Sequence, residues 1–340
     1  MNNSSLILKI TKINLVLFIL FYSQSLFSQK QFFKDNILYT VTSITNSTVN
    51  VDGINSLYYG EVKIPSTVEH EGESFKVISV KISHDGIESC IISNGVTSLN
   101  FIDCLKLNSV IIPNEVTSLK KISFDGCTKL TSVNIPQGVN SIFFKNCSSL
   151  TNVSIPNSIT SIDNSAFEGC KSLSSVNIPT GVISIGHAAF KDCISLTKLI
   201  LPDSINNIEI SAFSYCTSLS SIIIPNGVRI IWHNVFIGCK NLTSISIPNS
   251  ITSIENSAFE GCSSLTSITI PESVYSFGFD VFKGCSSLTN IICLRKTPPS
   301  AYNLNFDYIK NCTLRVPKES ADLYLYQNPW SEFKSILPIH

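Results

Sequence analysis

The stretch SIPNSITSIDNSAFEGCKSL, Ser154–Leu173, decides the fold, because it returns almost unchanged as SIPNSITSIENSAFEGCSSL at Ser246–Leu265. The two copies differ at only two of 20 positions, and their starts lie 92 residues apart, which is four periods of 23. A fixed period of this size is typical of a solenoid, in which each repeat forms one coil stacked on the next. We therefore interpret the repeats as one elongated domain.

A proline marks the same point of each repeat, directly after a short run of Leu, Ile or Val. The spacing is 23 residues, apart from one step of 20 between Pro136 and Pro156. The repeat prolines are Pro113, Pro136, Pro156, Pro179, Pro202, Pro225, Pro248 and Pro271.

The run before each proline follows one strand template, with apolar residues at positions 1, 4 and 6. Side chains alternate across a strand, so positions 4 and 6 point into the coil and positions 3 and 5 face outward. Cys90 at position 4 and Cys293 at position 6 are therefore predicted to be buried. The ten strands begin at Ile87, Leu107, Leu130, Leu150, Leu173, Leu196, Leu219, Leu242, Leu265 and Leu288.

A phenylalanine and a cysteine also recur once per repeat and predict two stacked columns inside the solenoid. The segment that carries them, such as NSAFEGC, is predicted to form a turn of helix, which the shorter coils ending at Cys104 and Cys147 lack. The phenylalanines are Phe101, Phe124, Phe144, Phe167, Phe190, Phe213, Phe236, Phe259 and Phe282. The cysteines are Cys104, Cys127, Cys147, Cys170, Cys193, Cys216, Cys239, Cys262 and Cys285.

Twelve cysteines would indicate disulfides if the chain were exported. Here neighbouring cysteines lie one strand spacing apart, about 4.8 Å, with parallel Cβ vectors that keep their sulfurs from bonding. We predict buried free thiols. The sequence contains no C-x-x-C pair, so a zinc site is not predicted.

The charge composition disfavours two classes of partner. Charged residues make up 14% of the chain, and 24 basic residues balance 24 acidic ones. Neither nucleic acid nor an anionic membrane surface is favoured by such a charge balance.

The N-terminus is typical of a signal peptide, predicted at residues 1–28. Lys9 and Lys12 precede an apolar core of nine residues at 13–21, which is far shorter than the ~20 residues of a membrane span. Cleavage is placed after Ser25 or Ser28, and a retained anchor is the alternative. The mature chain is expected to be exported and to have no transmembrane span.

We divide the rest of the chain into three parts. Residues 29–86 are predicted to form a β cap and entry coil, with paired strands and a turn at Asp52-Gly53. The repeat array covers residues 87–311. Residues 312–340 are predicted to close it with the strand CTLRVP and a short helix, whose Leu and Tyr residues join Trp330 and Phe333 over the last coil.

The pattern LxxVxIPxxVxxIxxxAFxxC resembles the BspA-like leucine-rich repeat proteins, whose treponemal-type unit has 23 residues, over roughly residues 59–317. The terminal TPP, RVP and W-x-x-F elements are also similar to the C-terminal cap of bacterial members. The resemblance implies a right-handed solenoid, mainly β with short helical turns, with a parallel sheet on the concave face. It also implies export and adhesion to a protein or glycoprotein, such as host matrix or another cell.

No catalytic constellation stands out in the sequence, and no cofactor is predicted. His187 and His233 share a register two coils apart, about 9.6 Å from the strand spacing, which is too far for one zinc ion. We predict a non-catalytic binding or adhesion module, with an architectural or self-associating envelope protein as the alternative.

Two outward clusters are the candidate binding residues. After Pro225 the usual polar residues are replaced together, and the new residues are Arg229, Ile230 and Trp232. Tryptophan and arginine dominate measured binding hot spots, although Trp232 could instead pack over Ile230 and Tyr215. The second cluster lies on the predicted concave sheet and consists of Lys198, Ile200 and Ile223, whose isoleucines could alternatively support β stacking.

Overall fold

The structure, a computed structural model, describes residues 31–301 and 309–339. Over these ranges the chain is a β-solenoid of about 12 turns with parallel strands and very little helix. This confirms the predicted repeat architecture. The predicted signal peptide lies outside the described residues. Within the described ranges, none of the helices reaches the length and hydrophobicity that a membrane crossing requires.

A mainly antiparallel cap begins the fold. Strand β1 (Gln31–Lys34) pairs with β2 (Ile37–Ser43), and β2 pairs with β3 (Thr48–Ile54), both antiparallel. The parallel ladder starts where β3 pairs with β6 (Glu73–Ile82), which also carries the short antiparallel β5 (Thr67–His70). The paired strands expected at the N-terminus are therefore present.

The hairpin between β2 and β3 turns at a different place from the one predicted. Asp52 and Gly53 lie inside β3, where Leu38 pairs with Gly53 but Tyr39 pairs with Val51. Asp52 is thus the extra residue of a β-bulge. An Asp-Gly pair is compatible with a bulge as well as with a turn. The chain reverses instead at residues 44–47, where Ser47 has a φ of 48°.

Two ladders of parallel strands run along the array. Ladder A contains the strands before the prolines, and ladder B contains those after them. The strands of ladder A are β4 (Gly60–Ile64), β7 (Ile87–Ile92), β9 (Ser109–Ile111), β13 (Ser175–Asn177), β15 (Lys198–Ile200), β17 (Ser221–Ile223), β19 (Ser244–Ser246), β21 (Ser267–Ile270), β23 (Asn290–Cys293), β25 (Thr313–Val316) and β26 (Ser335–Pro338).

Ladder B continues from β3 and β6, and its neighbouring strands are one repeat apart in register, as Ser161 opposite Ser184 shows. Two of the ten predicted strands, those beginning at Leu130 and Leu150, do not form full strands of ladder A; only an isolated bridge between Ser154 and Asn177 is present there. The further strands of ladder B are β8 (Ser98–Ile102), β10 (Lys121–Asp125), β11 (Ser141–Phe143), β12 (Ser161–Ile162), β14 (Ser184–Ile185), β16 (Asn207–Ile208), β18 (Ile230–Ile231), β20 (Ser253–Ile254), β22 (Ser276–Phe277) and β24 (Ser300–Ala301).

The predicted phenylalanine column fills the core from Phe101 to Phe282. All nine rings are buried, and neighbouring centroids lie 5.2–5.9 Å apart with ring planes within 19° of parallel. All twelve cysteines are buried and free, as predicted, including Cys90 and Cys293. Phenylalanine rings bury roughly 150–250 Å² each, so the column makes a large apolar contribution to the core.

The segment before each cysteine forms successive tight turns where a turn of helix was predicted. In one coil Ala166 N–H donates to Asp163 O, and Glu168 N–H donates to Ser165 O. The intervening N–H groups of Ser165 and Phe167 donate instead to carbonyls of the next coil, at 2.8 Å each. Because alternate N–H groups bond within and between coils, the segment holds neighbouring coils together and does not continue into a helix.

The turn is missing from the shorter coils, as predicted, because their strands run directly to the phenylalanine. Phe101 lies within β8, and Phe144 follows β11 immediately. The coil of Phe124 also lacks the turn, although it has three more residues, since β10 pairs in register with β8 and places Phe124 opposite Phe101. Its extra residues are accommodated before the strand.

The C-terminal part closes the array. Tyr324, Trp330 and Phe333 are buried as predicted, whereas Leu323 and Leu325 face solvent. The sequence did not predict β26, which adds one more parallel strand to ladder A beside β25. The short helices are the 3₁₀ helices Ile309–Asn311, Lys318–Ser320 and Trp330–Glu332 and the α-helix α1, Ala321–Leu325.

Candidate functional site

The structure places the six predicted site residues in two clusters on different ladders. Patch A, defined as Lys198, Ile200 and Ile223, lies on the outward positions of β15 and β17. Lys198 pairs with Ser221, and this register sets Ile200 beside Ile223. The two isoleucines are 68% and 71% exposed. Patch A is therefore an apolar pair on an open strand face with one positive charge beside it.

Polar residues surround patch A along the ladder. Asn177 is the partner of Ile200 on one side, and Ser246 is the partner of Ile223 on the other. A flat row of Ser and Asn would suffice for β stacking, so the exposed isoleucines add apolar surface that the fold itself does not bury.

The other three residues lie on ladder B and differ in exposure. Arg229 is exposed, Ile230 is partly buried, and Trp232 is partly buried with its ring packed against the core. The packing of the Trp232 ring against the core is local packing of the kind that the alternative for this residue expected. The three residues do not form one exposed cluster.

Trp232 lines a surface cavity of about 250 Å³. We call it the Trp232 cavity, and its walls come from three successive coils. The lining residues are His187, Asn207, Glu209, Ile210 and Trp232. Glu209 is the equivalent of Trp232 one coil earlier, so the 23-residue period could have identified Glu209 as a neighbour of Trp232. Asn207 and Ile210 were not predicted as site residues.

Hydrogen bonds fix the polar wall of the Trp232 cavity. Glu209 Oε2 accepts the His187 backbone N–H at 3.0 Å, and Asn207 Nδ2 donates to Glu209 Oε1 at a longer 3.4 Å. The cavity thus offers an oriented carboxylate and an amide beside an aromatic ring.

The histidines and carboxylates of the described ranges do not come together as a metal site. No group of three or more His, Cys, Asp or Glu side chains there could hold a metal ion. His233 Nδ1 accepts the Asn256 backbone N–H at 3.1 Å, so this imidazole supports the stacking of two coils.

Comparison with known proteins gives a family match over most of the chain. A family model described as BspA type leucine rich repeat region matches in six copies, over residues 94–219, 143–263 and 207–321. The search of curated proteins found no match.

Solved structures of bacterial leucine-rich repeat proteins share the fold. A leucine rich cell surface protein from Faecalibacterium prausnitzii A2-165 is 23% identical with a TM-score of 0.52, covering 92% of this chain and 95% of its own. The pneumococcal vaccine antigen PcpA is 17% identical with a TM-score of 0.58, covering 92% of this chain and 99% of its own. Both show the same repeat fold.

Proposed function

Because the chain belongs to the BspA type leucine-rich repeat family, we propose that it is an exported, non-catalytic binding or adhesion module for a protein or glycoprotein. The partner would be a host matrix component or the surface of another cell. Support comes from the family and from a structural neighbour named as a cell surface protein. The proposed export depends on residues 1–28, and the proposed division at 29–86, 87–311 and 312–340 gives the array a cover at each end.

Patch A is the observation that carries the proposal. Ile200 and Ile223 are more than two-thirds exposed on a rigid, hydrogen-bonded strand face. A rigid apolar surface loses little conformational entropy on binding, and its burial is favourable at roughly 25 cal/mol per Å². Lys198 adds a charge at the rim that would orient an acidic partner surface.

The test replaces the patch isoleucines with the polar residues of neighbouring coils. The variant Ile200→Asn/Ile223→Ser should weaken retention of matrix proteins or bacterial envelope fractions about tenfold or more, as hot-spot removal does. The melting temperature should stay nearly unchanged, because both side chains are exposed.

Ile111→Ser is the matched control, because Ile111 is a half-exposed isoleucine at the equivalent position of a distant coil. Equal loss of binding in this control would assign the effect to general hydrophobicity and contradict a local site. If the wild type forms ordered polymers that the double variant abolishes, patch A serves self-association, and the architectural role replaces the binding role.

A further inference from the structure

The Trp232 cavity combines one aromatic face with a carboxylate and an amide held in fixed positions. We propose that it is a saccharide-binding site, in which Trp232 stacks on a sugar ring and Glu209 and Asn207 hydrogen-bond to its hydroxyl groups. This inference rests on the proposed binding function and names a ligand class for a surface other than patch A.

The aromatic wall is prepared for stacking. Part of the Trp232 ring packs against the core, and the ring also lines the cavity. Because a partly packed ring is already oriented, little side-chain conformational entropy is lost when a ligand stacks on it. The C–H face of a sugar ring is a flat apolar surface that matches an aromatic face.

The polar wall matches neighbouring sugar hydroxyls, which both donate and accept. A carboxylate accepts up to about four hydrogen bonds, and Glu209 uses one at 3.0 Å and one at 3.4 Å. Its remaining acceptor sites suit hydroxyl donors, and the Asn207 amide suits both partners. The same carboxylate disfavours phosphate or other anionic ligands. A neutral, hydroxyl-rich ligand fits this wall best.

A second, separate cavity lies on ladder B nearer the N-terminus. It measures about 290 Å³, and its outward lining includes Asn100, Lys121, Ser123, Ser141 and Asp163. Ser141 Oγ donates to Asp163 Oδ2 at 3.1 Å, so this carboxylate is also held in place. Asp163 stands in the column of Glu209 two coils earlier, roughly 9.6 Å away from the strand spacing. The two cavities together favour an oligosaccharide over a single sugar.

Tryptophan fluorescence gives a direct readout, because the chain has two tryptophans. Trp330 is 1% exposed, and its Nε1 donates to Pro299 O, so an added ligand should change the emission of Trp232 alone. The full chain is first screened on an array of printed oligosaccharides. The best-retained oligosaccharide is then titrated in solution while emission and acrylamide quenching are recorded.

Trp232→Ala and Glu209→Gln should each weaken binding of that oligosaccharide about tenfold or more, in line with loss of a central contact. Trp232→Phe keeps an aromatic face and should retain more affinity than the alanine variant. Tyr275→Ala is the matched control, since Tyr275 is an exposed aromatic at the outer edge of ladder B two coils further on. It should leave binding unchanged. Glu209→Gln keeps the size and an acceptor oxygen, so its binding loss can be measured on a folded chain.

The outcomes separate this inference from the proposed function. No oligosaccharide binding, with patch A still binding a protein, overturns the saccharide site and leaves the proposed function intact. Another outcome is that the chain binds a protein, that Trp232→Ala abolishes this binding, and that oligosaccharides do not compete with it. This outcome assigns the cavity to a protein interface and also overturns the saccharide site. Saccharide binding that survives both Trp232→Ala and Glu209→Gln places the site elsewhere.

Discussion

The cysteine column shows how one residue type meets two needs of a stacked coil. Seven successive cysteines, from Cys147 to Cys285, donate their thiol to the phenylalanine carbonyl of the preceding coil at 3.0–3.3 Å. Phe167 O, for example, accepts both the Cys170 N–H and the Cys193 thiol. A thiol packs as a small apolar group and still donates weakly, so it fills the core and completes a buried acceptor.

This arrangement predicts thiols that resist alkylation in the folded chain. Burial raises the pKa of Cys147, Cys239 and Cys285 to about 12, so almost no reactive thiolate exists at pH 8. Iodoacetamide should leave these three unmodified in the native chain and modify them fully in denaturant, as measured by peptide mass spectrometry. Recovery of these residues mainly as disulfide-linked peptides would contradict the free-thiol column.

At the scale of single elements, periodicity was enough to predict both core columns and eight of the ten strands that the template named, whereas the strands of ladder B were not predicted. Because side chains alternate along each strand and the repeat has a fixed period of 23 residues, only one register buries all of the apolar positions. The turn segments were harder, because Ser165 and Ala188 adopt left-handed φ values of 55° and 53°. Their N–H groups bond to the following coil, so the conformation depends on tertiary neighbours that local sequence does not encode.

At the candidate site, too, the sequence could predict one part, whereas the other part depends on how the coils stack. Trp232 could be found because it interrupts a column that is otherwise acidic or glycine. The cavity beside it could not, since His187 lies two coils away and the wall exists only when three coils are stacked in register. The 23-residue repeat in the sequence identifies Trp232 as the unusual residue, whereas the cavity around it forms only when the coils stack.

The C-terminal cap is predicted to depend on Trp330. Its indole donates to Pro299 O at 2.9 Å and lies edge-on to Tyr324 and Phe277, each 5.6 Å away. Trp330→Ala should lower the free energy of unfolding of the terminal coils by about 3–5 kcal/mol. Denaturant unfolding measures this, with Tyr326→Ala as the control because Tyr326 is 89% exposed. Equal stability of the two variants would show that Trp330 does not hold the cap.

Across the whole molecule, each coil is stabilised by its two neighbours. Besides the strands and the ring column, Glu168 lies between Lys145 of the coil before and Lys191 of the coil after, at 3.1 and 3.2 Å. Burial acts to raise the pKa of the Glu168 carboxyl, but hydrogen bonds from Ser165 and from the two lysines outweigh burial and hold this pKa below its usual value. In such an array, stability is a sum of coil terms and nearest-neighbour interfaces.

This architecture predicts that a substitution in the middle of the phenylalanine column destabilises only the neighbouring coils. Phe213 stacks on Phe190 and Phe236 with centroids 5.7 Å away on each side, so Phe213→Ala should cost about 3–5 kcal/mol at two interfaces. Hydrogen exchange should accelerate most in the coils of these three residues and least in the N-terminal cap and in β25, because coupling passes through neighbours only. Ile223→Ser, in the next strand of ladder A but exposed, should leave exchange unchanged. Uniform acceleration along the whole chain would instead show that the solenoid unfolds as a single cooperative unit.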